Sequence, residues 1–195
     1  MISERAARDY RESIISGYEN LIEEKIDQGF EAYYMNFMFR HITGTAAYRR
    51  QAMIREVDRV HHILTRHIVR LPHSETWARL RPIFIGSHDL PVWKHRKVQV
   101  QSLIVNDGLH FNAVALVPPP ARTDMPIRAQ FALMGRQSRL QISLDRHFSE
   151  NRRFYLNDVL DRIHVTPIIK GNMVDYTLKA FKHGRVSDDS IQIWN

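Results

Sequence analysis

Two pairs of side chains stand at spacings that could do chemistry. The first is His110 and Asn112, two residues apart in the apolar run LHFNAVALV at 109–117. Side chains at i and i+2 of a strand share a face. An imidazole and a carboxamide oxygen would then stand side by side, while Leu109, Phe111, Ala113 and Ala115 face the other way into a core. Both groups can help hold a divalent cation, with Asn as the weaker, neutral oxygen ligand. Taken alone, the pair equally fits two polar surface residues near a turn. The second pair lies in NMVDYTLKAFKHG at 172–184. At about 100° per residue, Val174, Leu178 and Phe181 share one stripe of a helix, and Tyr176 and Lys179 fall together on the other side. An ammonium beside a phenol favours the phenolate, which is the form a tyrosyl nucleophile needs. A partly exposed Tyr beside a solvated Lys is the plainer reading of the same spacing.

The elements that would carry these residues can be read from periodicity. Ser3 caps a helix reaching about Gln28, stopped by Gly29, with Tyr10, Ile14, Tyr18, Ile22 and Ile26 as its buried stripe. The aromatic run FEAYYMNFMFR at 30–40 reads as a strand. Thr45 caps a long helix to about Val69, ended by Pro72. PIFIG at 82–86 suits a small extra strand, and KVQVQSLIV at 97–105 a longer one. Asn106, Asp107 and Gly108 form a hairpin signal before the strand at 109–117. Pro118, Pro119 and Pro120 end that strand, and a loop follows to 136. Ser143 starts a helix to about Asn157, RIHVTPII at 162–169 reads as a strand, and Asn172 caps a last helix through His183, stopped by Gly184. With the first helix and the 82–86 strand set aside, the order is β-α-β-β-α-β-α. That is an α+β, ferredoxin-like split βαβ antiparallel sheet, with an added N-terminal helix and a C-terminal tyrosine-bearing helix. Helices on one face would leave the other face free for a ligand. Residues 1–29 are expected to be an amphipathic helix packed on a single domain spanning 30–195.

Composition narrows the chemistry. The 195 residues are 44% hydrophobic and 25% charged, ordinary values for one globular core. The absence of Cys excludes disulfides, thiolate zinc sites and a thiol nucleophile. No apolar stretch is long enough to span a bilayer and no secretory leader is visible, so a cytoplasmic protein with no membrane partner is expected. Of the 11 His, His61, His62 and His67 lie off any shared helix face and read as surface or partly buried residues. Residues 1–30 hold four basic and seven acidic side chains, whereas the whole chain carries +7. The basic body suits a polyanion. The acidic helix suits either a homodimer contact or a seat on that body.

A strand with His-hydrophobe-polar after a hairpin, then an α-β step, then a helix with Tyr-x-x-Lys resembles the rolling-circle replication initiators of the HUH endonuclease superfamily. In that family two His ligands flank a hydrophobic residue on a central strand, and a later helix carries the nucleophilic Tyr. The matching residues are His110, Phe111 and Asn112, then Tyr176 and Lys179, within a resemblance that spans roughly residues 30–184. It implies a Mg²⁺ or Mn²⁺ cofactor at His110 and Asn112, attack by Tyr176 on single-stranded DNA or a DNA hairpin, and Lys179 orienting the phosphate. Lys182 and Arg185 would hold the DNA backbone. The chain departs from the pattern in having Asn112 where a second His stands. Many relatives also carry a third, often acidic, ligand on the preceding strand, and 97–105 holds no acid; Gln99, Gln101 or the distant His41 would have to substitute. A non-catalytic nucleic-acid binder on the same scaffold is the alternative, with Phe30, Tyr33, Tyr34, Phe37 and Phe39 as stacking surfaces.

Overall fold

The structure is a computed structural model, and it describes residues 3–89, 109–119, 138–168 and 173–195. The expected strand at 97–105, the Asn106–Gly108 turn and most of the 118–136 loop lie outside the described residues.

Helix α1 spans Glu4–Asp27, with the Ser3 hydroxyl accepting from the Ala6 amide, and Gly29 turns the chain at φ 92°. Strand β1 follows at Glu31–Phe39, and helix α2 at Ala46–Ile68, capped by Thr45. Strand β2 is Ile83–Asp89 and β3 is His110–Val117. Helices α3 (Leu144–Glu150) and α4 (Arg152–Tyr155) replace the single helix expected from Ser143, and the break falls at Asn151, where ψ is 21°. Strand β4 is Leu160–Pro167. The last helix is also interrupted, into α5 (Met173–Thr177) and α6 (Lys179–Lys182), with Leu178 off helical geometry between them. Gly184 then turns at φ 65°, and β5 closes the described chain at Gln192–Trp194.

The strands form one antiparallel sheet in the order β4-β1-β3-β2-β5. Its first four strands have the ferredoxin-like order, so the α+β reading holds. The strand that fills the second position is 83–89, the segment set aside as a small extra strand on sequence grounds. All seven of its residues are buried. A strand buried on both faces shows no alternation, and His88 and Asp89 disguise its end as a loop. Gly86 is required there, because a Cβ would lie 2.3 Å from the Asn112 carbonyl oxygen across the ladder.

The second sheet face is not left bare. On one side, α2, α3 and α4 cover Tyr33, Met35, Phe37, Phe39, Phe84 and Phe111. On the other, α1, α5 and α6 cover Ala32, Ile83, Ile85, Val114 and Leu116 through Ile15, Ile22, Val174, Leu178 and Phe181. The α1 stripe is narrower than expected: Tyr10 and Ile26 are exposed, and Ile15 takes the buried place. Tyr10 instead donates to Asp188 at 2.7 Å. Four of the five aromatic residues proposed for stacking, Phe30, Tyr33, Phe37 and Phe39, are buried and belong to the cores. Among the described residues, no helix is long and apolar enough to cross a membrane.

A polar cluster interrupts the first core. His147 Nε2 lies 2.8 Å from the Tyr155 hydroxyl and 3.1 Å from His67 Nδ1, and that hydroxyl lies 3.2 Å from His67 Nδ1. The Asn151 amide donates to the His147 carbonyl at 3.0 Å, which turns its nitrogen toward His147 Nδ1. His147 Nδ1 is therefore the acceptor, and the ring proton sits on Nε2. Burial first, then the His67 ring, pushes His147 down to about 4, with Glu150 opposing; burial likewise raises Tyr155 above its ordinary value. His147 stays neutral in the folded chain while the unfolded chain takes up a proton below pH 6.5. Stability from this group is complete above pH 6.5 and falls as pH drops toward 4, by about 3 kcal/mol in all. Urea unfolding between pH 7 and 4 should show at least that loss, because burial also holds His61, His67 and His88 low, and His147→Gln should remove only the His147 share of it. Gly86→Ala should lower stability by about 2 kcal/mol or more in the same assay, since the new methyl meets backbone.

Candidate functional site

The covered face of the sheet is apolar only along half its length. Toward the other end, the same face changes to polar side chains. The ladder registers set them in rows: His164, Asn36, Asn112 and Ser87 run across β4, β1, β3 and β2, and Asp89 pairs with His110 one step further on. Strand alternation puts all six on one face.

Asn112 is the centre of this patch and is fully buried. Its Oδ1 accepts from the Tyr34 hydroxyl and from Asn36 Nδ2, both at 2.6 Å. Its Nδ2 points at Asp89 Oδ2, 3.5 Å away. A carboxamide oxygen has two lone pairs, and both are used. Asn112 therefore spaces and orients its neighbours, and its oxygen is engaged rather than presented to a ligand.

His110 lies beside it with its Nε2 3.6 Å from Asp89 Oδ2. That separation is too long for a direct hydrogen bond. Asp89 is 7% exposed, and its Oδ1 is buried with no hydrogen-bond partner among the described residues; the buried Ser87 Oγ is in the same state. Buried polar atoms are normally satisfied, so two such oxygens on one face call for an explanation. An imidazole nitrogen and a carboxylate oxygen are suitable donors for Mg²⁺ or Mn²⁺. Among the described residues, no three His, Cys, Asp or Glu side chains form a metal-binding group.

An acid, Asp89, does stand beside His110, on β2 rather than in 97–105. Sequence reasoning misses Asp89 because it ends that strand at Gly86. The available signal is the apolar run continuing into Ser-His-Asp with no turn residue after the glycine.

The second constellation is carried by α5 and α6. Val174, Leu178 and Phe181 are buried as their spacing requires, and α5 packs against β3 on the face that bears Asn112. Tyr176 lies within α5, and the position of its side chain is outside what the structure describes. Lys179 is half-buried at the start of α6. Thr177, next to Tyr176, is buried with its hydroxyl unpartnered among the described residues. Of the two cations assigned to a DNA backbone, Lys182 on α6 is engaged with Asp175 of α5 across the break at Leu178. Arg185 is exposed and lies away from His110, in a cleft with Arg50 and His88.

Asn112→Leu should remove about 3 kcal/mol of stability, because it removes the buried hydrogen bonds that Asn112 makes to Tyr34, Asn36 and Asp89. Asn36→Ala, at a half-buried position, should cost under about 1 kcal/mol; chemical denaturation of both variants would check the difference.

No protein-family model matches this chain, and neither a curated protein nor a solved structure is found similar to it.

Proposed function

We propose that this chain is a replication-initiator-like protein that binds single-stranded DNA and nicks it through Tyr176, assisted by a divalent cation held at His110 and Asp89. The observation that carries this reading is the meeting of His110 with Asp89, whose Oδ1 is buried without a hydrogen-bond partner among the described residues, on the face against which the tyrosine-bearing helix packs. The charge supports it: a body of net positive charge suits a polyanionic strand.

In this reading Asn112 holds Asp89 in place through its amide, and Tyr34 and Asn36 fix Asn112. A bound cation supplies Lewis-acid polarisation of the scissile phosphate. The Tyr176 oxygen forms a bond to phosphorus and the P–O3′ bond breaks. The phenolic proton leaves to solvent, and the departing 3′ oxygen takes up a proton. The products are a 5′-phosphotyrosine and a free 3′-hydroxyl. Lys179 orients the phosphate and offsets its charge. The engaged oxygen of Asn112 favours a second reading, a nucleic-acid binder on the same scaffold that performs no cleavage.

Purified protein incubated with Mn²⁺ and labelled single-stranded oligonucleotides should yield a denaturation-resistant adduct that Tyr176→Phe abolishes. Mn²⁺ should raise the melting temperature of wild type and of Tyr176→Phe, and leave Asp89→Asn unmoved. Absence of any adduct across a random-sequence pool, with DNA binding retained, would select the non-catalytic reading.

A further inference from the structure

A cleft of about 440 Å³ opens on the other side of β2, between the first turns of α2 and the segment leading into β5. It is lined in part by Arg50, Gln51, His88, Arg185, Asp189 and Gln192. His88 precedes Asp89 in β2 and so faces the opposite side of the sheet from the His110 site. This residue is 7% exposed, and its Nδ1 is buried with no hydrogen-bond partner among the described residues. His88 nonetheless lines the cleft wall, and an imidazole can donate a hydrogen bond through either ring nitrogen.

The charged lining has the sign an anionic acceptor needs. Arg50 is half-buried and Arg185 exposed, and neither forms an ion pair with a carboxylate among the described residues. Asp189 is the opposing charge in the lining, and the Ser187 hydroxyl donates to its carboxylate. Two arginines and one engaged carboxylate therefore line the cleft, and the formal charge of that lining is positive. The donors arrive from three separate elements: α2, β2 and the turn after α6. Donors spread in this way suit the several oxygens of a tetrahedral anion, and guanidinium groups bond such oxygens in pairs.

We infer that this cleft binds a phosphate group through Arg50, Arg185 and His88. The assignment is independent of the nicking reading, since it uses none of the residues at the His110 site. The phosphate comes either from the backbone of a nucleic acid or from a free phosphate ion, and the chemistry of recognition is shared.

Isothermal titration of the full chain with inorganic phosphate, and fluorescence anisotropy with a labelled single-stranded oligonucleotide across a salt series, separate those sources. Arg50→Ala with Arg185→Ala should weaken at least one ligand roughly tenfold. If the backbone is the ligand, the slope of log affinity against log salt should also fall by about 0.7 for each phosphate the variant fails to neutralise. Loss of phosphate binding with oligonucleotide binding unchanged assigns the cleft to the free ion. His88→Gln should weaken the same ligand, and circular dichroism would confirm that each variant is folded. Arg153→Ala, on α4, should change nothing. Wild-type affinity for both ligands in the double arginine variant, or binding of neither by wild type, overturns the inference.

Discussion

A carboxamide with no exposure to solvent sits in the middle of the sheet, and the surrounding structure is arranged to satisfy it. Asn112 has Tyr34 and Asn36 from one side strand and Asp89 from the other within hydrogen-bonding range. Its burial demands those partners, because an unmet amide in the interior costs more than the bonds return. The demand fixes register. A slip of one residue in either flanking strand would turn Tyr34, Asn36 or Asp89 to the opposite face and leave Asn112 alone. The polar patch is therefore a constraint on strand pairing as well as a place for a ligand.

This arrangement divides the face of the sheet by chemistry. Where Ala32, Ile83, Ile85, Val114 and Leu116 lie, helices α1, α5 and α6 can settle on a dry surface. Where Asn36, Asn112, Ser87 and Asp89 lie, an apolar helix face would bury groups it cannot bond. The boundary between the two halves falls within single strands, at Tyr34, between Val114 and Asn112, and between Ile85 and Ser87. It is set by which residues alternate onto that face, and the helix that carries Tyr176 is brought up against β3 by the apolar half.

Much of this is legible from periodicity. The caps at Ser3 and Thr45, the turns at Gly29 and Gly184, the aromatic strand and the buried stripe of Val174, Leu178 and Phe181 all follow from local pattern. The layout of the site is only half legible. His110 and Asn112 can be placed on one face, because alternation is local. Their neighbour Asp89 cannot, because a strand buried on both sides carries no alternation to read, and the glycine at 86 resembles a stop. That glycine answers to a close approach of two backbones, which no single-strand pattern reports. The interrupted helices at Asn151 and Leu178 are also hidden, since tertiary packing rather than local pattern decides where a short helix breaks. The second face is covered, against expectation, because α1 is no appendage: Ile15 and Ile22 make it part of the wall.

Strand β5 has a consequence for how the molecule is made. It pairs Trp194 with Phe84, residues more than a hundred positions apart, and Trp194 also packs edge-on against Phe111. Until residues 192–194 have left the ribosome, β2 has an unpaired outer edge and Phe111 lacks one neighbour. The outer edge of β2 is thus paired only after the described elements that precede β5 in sequence have been synthesised. Such long-range pairing slows folding and leaves a nascent sheet edge open in the meantime. The outer edge of β2 at Phe84–Gly86 is consequently closed from far along the chain, whereas Asp89 pairs with His110 of β3 beyond the reach of that last ladder.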